Sequence, residues 1–308
     1  MKISNKEVAK LLRTATYLSV IVAILIIFIK LIAWFMTDSL SLLSSLVDSI
    51  LDVVASTITL FAVSYSLQPA DEDHRFGHGK AEDIAAFAQS VFIAGSGVFI
   101  FIEALGRLIN PREISNEVVG ISVMIVSSIL TLGLLSYQKY VIAKTNSSAI
   151  KADAMHYKTD LLVNLLVIVS FICSILFNNT FIDPILAIIV ALHIFKGAYS
   201  VGKDAFDKLM DKEFSDEDRE KIIKCVLQNK EVKGMHDLRT RSSGIKPFIQ
   251  FHLELDGDMS LKDAHTVADD VEMNILKTFP NAEILVHQDV EVKKELEPLK
   301  GRVVPDKK

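Results

Sequence analysis

Cysteine is almost absent. Two thiols, Cys173 and Cys225, stand far apart in 308 residues. One lies in an apolar run and the other in a polar stretch, so they form neither a disulfide framework nor a cysteine-based zinc site. Basic stripes are missing too, and with them the charge needed to neutralise phosphates, which excludes nucleic acid as the obvious partner. No G-x-x-x-x-G-K-[ST] loop occurs, so no nucleotide site of that kind is implied. Low-complexity runs and internal repeats are lacking. Charge itself is scarce in the first two-thirds: residues 1–203 hold 15 of the 38 acidic and 15 of the 33 basic side chains, and residues 204–308 hold the other 23 and 18. What the chain has is apolar surface, with half its residues hydrophobic and a mean hydropathy of +0.36. An apolar, formally neutral part followed by a polar, acidic one excludes a single soluble domain and a disordered chain.

A helix needs roughly 20 apolar residues to cross a bilayer core. Six stretches qualify: 17–36, 42–67, 84–109, 118–141, 161–177 and 181–199. The first follows Lys2, Lys6, Lys10 and Arg13 as a secretory signal would, but it is long, Lys30 interrupts it, and no small-residue cleavage site follows. It reads as a retained span. Lys and Arg near the span ends set orientation. One side collects Lys2, Lys6, Lys10, Arg13, Arg75, Lys80, Lys139, Lys144, Lys151, Lys203, Lys208 and Lys212, and the other only Arg107 and Arg112. Both termini are therefore expected in the cytoplasm.

The polar third reads as a small α/β domain in the order helix, strand, strand, helix, strand. A helix is expected over 216–228 behind Ser215 as N-cap, and strands over 235–240, 248–256 and 283–291. In the second strand Ile249, Phe251, Leu253 and Leu255 alternate with Gln250, His252 and Glu254. An amphipathic helix is expected over 261–279, ended by Pro280. The expected organisation is a membrane domain over 1–203, a cytoplasmic domain over 204–291 and a structureless charged tail over 292–308.

Charge placed where it is expensive carries the functional reading. Asp48 and Asp52 lie four apart in the second apolar stretch, on one helix face, and His156 and Asp160 lie four apart at the start of the fifth. An ionisable group in a membrane costs several kcal/mol unless paired or hydrated, so it is a functional candidate by default. For His156 and Asp160 a hydrated helix end is the plainer alternative, because Lys151, Asp153 and Lys158 adjoin them. Those polar neighbours would then line a wet cavity. Three carboxylates and one imidazole on two helices suit a four-coordinate zinc ion and would also take ferrous iron, cadmium or manganese. A second cluster, Asp71, His74 and His78, has metal-ligand spacing but also fits an exposed polar loop. A third, His236, His252, His265, His287 and Asp289, is spread over three strands and a helix and converges only if the fold brings it together.

In order, the segment 45–52 (SLVDSILD), the loop 68–80 (QPADEDHRFGHGK), the pair in 156–160 (HYKTD) and the run 236–244 (HDLRTRSSG) resemble the cation diffusion facilitator family, of the bacterial ferrous-iron and zinc efflux type. The resemblance covers about residues 12–291. It implies an α-helical membrane protein with six transmembrane helices and a C-terminal cytoplasmic ferredoxin-like, metallochaperone-like domain. It further implies a homodimer in the bacterial cell inner membrane that exchanges divalent metal for protons. By motif, Asp48, Asp52, His156 and Asp160 would be the transport site and Asp71, His74 and His78 a loop site. His236, His252, His265, His287 and Asp289 would hold two zinc ions, with Asp289 bridging, and Lys80 and Asp211 would pair near the membrane surface. The expected activity is therefore non-enzymatic: proton-coupled export of zinc, ferrous iron or cadmium, with protons as counter-substrate and membrane lipid as surroundings. Two rivals remain at this stage, an intramembrane aspartyl protease and a membrane-anchored metal sensor. A protease dyad needs carboxylates on facing helices, whereas Asp48 and Asp52 share one helix. A sensor's anchor would not retain four costly polar residues.

Overall fold

The computed structural model describes residues 5–37, 40–109, 118–177, 182–291 and 303. Lys2, Arg112 and all of the 292–308 tail except Val303 fall outside them. The chain divides into two compact units, Ile3–Phe206 and Asp207–Lys308.

The first unit is built from α1 (Asn5–Thr37), α2 (Leu40–Ser66), α3 (Lys80–Ile109), α4 (Val118–Thr145), α5 (Ser148–Phe177) and α6 (Ile182–Leu209). Each is 27 to 33 residues long, or about 40–50 Å at 1.5 Å per residue, enough to cross a core about 30 Å thick. Helices satisfy every backbone group internally, the condition for crossing lipid. Hydroxyl side chains do the same locally: Thr16, Ser19, Thr145 and Thr159 each donate to the carbonyl four residues back, at 2.9–3.2 Å. Large apolar side chains such as Phe28, Phe61, Ile102 and Ile129 point outward and are exposed, as a lipid-facing surface requires. On α6, Gly197 and Gly202 permit close approach. A methyl at Gly197 would land on the Met155 thioether of α5, and one at Gly202 would meet Ser90 Oγ of α3 at 2.6 Å.

Five of the six helices, α1 to α4 and α6, are long and apolar enough to cross a membrane among the described residues. The fifth expected span, 161–177, is the second half of α5, which starts at Ser148 and carries Lys151, Asp153, His156, Lys158 and Asp160 in its first half. That half lies inside the bundle: Ala152, Asp153, Met155, His156, Tyr157 and Thr159 are all buried. Asp153 therefore does not line a wet path. It accepts hydrogen bonds from Ser19 Oγ of α1 at 2.6 Å and Gln138 Nε2 of α4 at 2.7 Å, with Ser56 Oγ of α2 at 3.5 Å. Tyr157 Oη, one turn on, meets Ser56 Oγ at 2.8 Å and donates to the Ser19 carbonyl at 3.0 Å. Lys151 pairs with Asp204 of α6 at 3.1 Å.

The second unit contains α7 (Asp216–Leu227), β1 (Gly234–Ser243), β2 (Lys246–Leu255), α8 (Leu261–Thr278) and β3 (Glu283–Val290), the order expected from the sequence. Ser215 and Ser260 cap the two helices by accepting from the Asp218 and Asp263 backbone N–H groups. The sheet runs β1-β2-β3, with β1 and β2 antiparallel and β2 and β3 parallel. The β1–β2 hairpin turns through Gly244 at φ +57°, a conformation glycine adopts without a Cβ penalty. Ile249, Phe251, Leu253 and Leu255 are buried against Val267, Val271 and Ile275 of α8 and Ile222 and Val226 of α7. Val303 exchanges two backbone hydrogen bonds of 2.9 Å with Met235, also at this core.

Candidate metal sites

The alternation of α2 and the start of α5 place two pairs of ionisable residues face to face. His156 Nε2 lies 3.0 Å from Asp52 Oδ1 and 3.6 Å from Asp160 Oδ2. Single ligand atoms of Asp52, His156 and Asp160 all fall within 4.8 Å of one another, a spacing that one cation could bridge. Asp48 stands outside that trio but lines the same cavity of about 730 Å³, together with Lys30, Ser49 and Asn164. Phe92 and Phe99 supply apolar wall. Asp160 Oδ2 is buried and has no hydrogen-bond donor among the described residues. A buried carboxylate oxygen without a donor is costly, and a cation is the group such an oxygen fits. The arrangement can bind a divalent ion between two helices.

The second cluster forms in the turn between α2 and α3. Asp71 Oδ1 accepts from the His74 backbone N–H at 2.6 Å, which holds this carboxyl below the usual carboxylate range. The carboxylate is thus ionised throughout the neutral range and ready to coordinate. His74 Nδ1 lies 3.2 Å from Asp71 Oδ1 and His78 Nε2 lies 3.2 Å from Asp71 Oδ2. His78 is buried with its ring 4.5 Å from that of Tyr65, so the loop is not uniformly solvated. Ligand atoms of Asp71, His74 and His78 also come within 4.8 Å of one another.

The third cluster is assembled by strand register. His236 of β1 is the direct partner of His252 of β2, which is the direct partner of His287 of β3. The ring centroids follow at 4.7 Å and 4.5 Å. Asp289 Oδ2 lies 3.8 Å from His236 Nε2 and 3.6 Å from His252 Nδ1. His236, His252 and Asp289 form a third group within 4.8 Å. His265, on α8, stands apart within the single chain: it is exposed and faces Asp269 at 3.6 Å. Of the residues implied to pair near the membrane surface, Lys80 lies in the helical unit and Asp211 in the other, where Asp211 meets Arg241 at 3.4 Å.

Two residues that the sequence shows only as polar neighbours contribute to the sites. Glu254 alternates onto the polar face of β2, yet it is fully buried and lies 3.0 Å from His236 Nδ1. With Nδ1–H donating there, Nε2 keeps the lone pair on the side of Asp289, the arrangement by which an outer carboxylate orients a metal-binding imidazole. Nothing in the sequence but proximity to His252 marks it. The other is Asp153, whose signal was its place three residues before His156, inside what the structure shows to be a packed helix.

Family comparisons divide the chain in the same way. The family model for the cation efflux transmembrane domain matches residues 16–210, and that for the cation efflux protein cytoplasmic domain matches residues 214–291. Protein p34 of Rickettsia rickettsii (strain Sheila Smith) is 45% identical over 280 residues, covering 91% of this chain and 92% of that protein. The cation-efflux pump FieF of Serratia proteamaculans (strain 568) is 41% identical over 283 residues, covering 92% of this chain and 94% of the pump. The metal-bound C-terminal domain of the CzcD transporter from Thermotoga maritima is similar over 26% of this chain and 93% of that one, at 29% identity and a TM-score of 0.24.

Proposed function

The chain belongs to the cation diffusion facilitator family of metal-cation efflux transporters, and from that membership we propose that it exports zinc, ferrous iron or cadmium from the cytoplasm in exchange for protons. The observation that carries the proposal is the convergence of Asp52, His156 and Asp160, with Asp48 lining the same cavity. Carboxylate and imidazole ligands must be deprotonated to coordinate, so metal and protons compete for the same atoms. That competition is the physical basis of antiport. Imidazole favours zinc, cadmium or iron over manganese and magnesium, which prefer all-oxygen sites.

The working unit is a homodimer in a bacterial inner membrane, each protomer with six spans and both termini cytoplasmic. Residues 1–203 are its transport domain and residues 204–291 its metal-binding domain. The pH gradient is the energy source. Inside-out vesicles given labelled zinc, iron or cadmium should accumulate metal when the lumen is acidic. Accumulation should fall when the gradient is collapsed, and proton efflux should accompany each ion. Uphill accumulation with no gradient and no change of lumen pH would leave a facilitated channel instead.

In the second unit, His236, His252, His265, His287 and Asp289 would hold zinc as a resident ion. The donor-free, buried Nδ1 of His252 and the oriented imidazole of His236 fit that metal. Zinc there would supply crosslinks between the three strands. At a hundredfold excess over Kd a bound ion stabilises its folded site by about 2.7 kcal/mol. Zinc should therefore slow amide hydrogen exchange in β1 and β2 of the full-length protein by roughly a hundredfold at such excess. Combined His236→Ala and Asp289→Ala substitution should remove that slowing. Equal protection with and without these side chains would place the zinc elsewhere.

A further inference from the structure

Lys30 belongs to an otherwise apolar stretch of α1, yet it lines the cavity that holds Asp48, Asp52, His156 and Asp160. Its ammonium donates to the Ser45 carbonyl at 3.0 Å and to Ser49 Oγ at 2.6 Å, both on α2. Those neutral acceptors solvate the charge without balancing it. Asp52, Asp160 and Asp48 are all near enough to interact with it electrostatically.

An ammonium at membrane depth is expensive unless a counter-charge is at hand, and here the counter-charges are the carboxylates of the transport site. With His156 neutral, as a ligand must be, three carboxylates and one ammonium give the cavity a formal charge of −2. One divalent cation brings that to zero. Without the lysine the loaded cavity would keep a net negative charge, which holds the ion more tightly and raises the cost of turning a charged site through a low-dielectric interior.

We propose that Lys30 is a built-in counter-cation of the transport site, held off the carboxylates by Ser45 and Ser49, so that one divalent ion neutralises the cavity and can leave it. This role rests on the export reading above. It makes Lys30 a residue that sets affinity and release without coordinating the metal.

The test is zinc flux by the full-length protein in proteoliposomes. Lys30→Gln keeps a donor for Ser45 and Ser49 but removes the charge, Lys30→Met removes both, and Lys30→Arg keeps the charge. Both neutral variants should lower KM by roughly three- to tenfold and kcat by about tenfold, a split in which binding tightens while turnover falls. Lys30→Arg should stay within about threefold of the parent in both constants. A mere staple between α1 and α2 would show the opposite order, with Lys30→Gln near normal. Lys30→Gln with KM and kcat both within about twofold of the parent, or Lys30→Arg as impaired as Lys30→Gln, overturns the role. A parent protein with no zinc flux overturns the export reading and this role together, whereas an active parent with an indifferent Lys30→Gln variant overturns the role alone.

Discussion

Alanine in place of Asp52 or Asp160 is expected to abolish metal flux while leaving the protein folded. Asp52 comes from α2 and Asp160 from α5, and His156 Nε2 lies between them at 3.0 Å and 3.6 Å. Removing either carboxylate leaves the remaining ligands on unequal sides of the ion. It also strips one negative charge from a cavity whose apolar wall, Phe92 and Phe99, offers no substitute. Truncating one partner of a buried pair of opposite charges, here carboxylate and metal ion, costs roughly 2–5 kcal/mol of binding, which corresponds to a loss of at least about thirtyfold in flux. Both residues lie on helices held by contacts elsewhere, so size-exclusion elution in detergent should be unchanged. Near-normal zinc flux from both single variants would remove this trio as the transport site.

The second large effect is structural. Asp153→Ala should destabilise the helical unit by about 3–5 kcal/mol, the scale for emptying a buried polar network of its acceptor. The carboxylate receives Ser19 Oγ at 2.6 Å and Gln138 Nε2 at 2.7 Å. It also approaches Ser56 Oγ at 3.5 Å. Those donors come from α1, α4 and α2, so one side chain on α5 fixes the packing of four helices. Ser56 lies one turn beyond Asp52 and Asp153 nearly one turn before His156, and the same network therefore fixes the distance between the two halves of the transport site. Asp153→Asn keeps an acceptor oxygen of the same shape and should recover most of the loss, to within about 1 kcal/mol. Thermal melting in detergent reads both variants. An unshifted midpoint for Asp153→Ala, or an Asn variant as unstable as the Ala one, would show that the oxygen acceptor does not hold these helices together.

The difference between what the chain announces and what only folding reveals has a physical origin. Asp48 and Asp52 are visible in the sequence because apolar residues flank them for several turns, and a charge in such a run stands out. The buried face of β2 is equally visible, since a half-buried strand alternates with period two. By contrast, α5 reads as an apolar span that begins at Leu161, because a search for lipid-facing length discounts the polar turns before it. Those turns are helical, and Asp153 and Lys151 spend their polarity on neighbouring helices rather than on water, while Lys158 is exposed. A local reading of Lys151, Asp153 and Lys158 has no means of telling the two apart. Glu254 fails in the same way: alternation assigns it to the wet face, whereas the structure buries it against the imidazole of His236 across the hairpin. The Asp71, His74 and His78 turn lies between these cases, with a spacing that fits both a ligand set and a solvated loop until the side chains are seen to converge.

The row of histidines across the sheet has a consequence for how this protein can change over evolutionary time. His236, His252 and His287 are separated by long stretches of chain and meet because His236 pairs with His252 across β1 and β2, and His252 with His287 across β2 and β3. Adding or deleting a single residue between Lys246 and His252 would turn His252 towards the apolar core and bring Phe251 or Leu253 to the surface. Length variation is thus barred from that stretch of β2, whereas β1 absorbs a register shift between His236 and Arg239 and connections such as residues 256–260 are free of the constraint. Point substitutions can retune the ligands one at a time, but the spacing that assembles them is inherited whole.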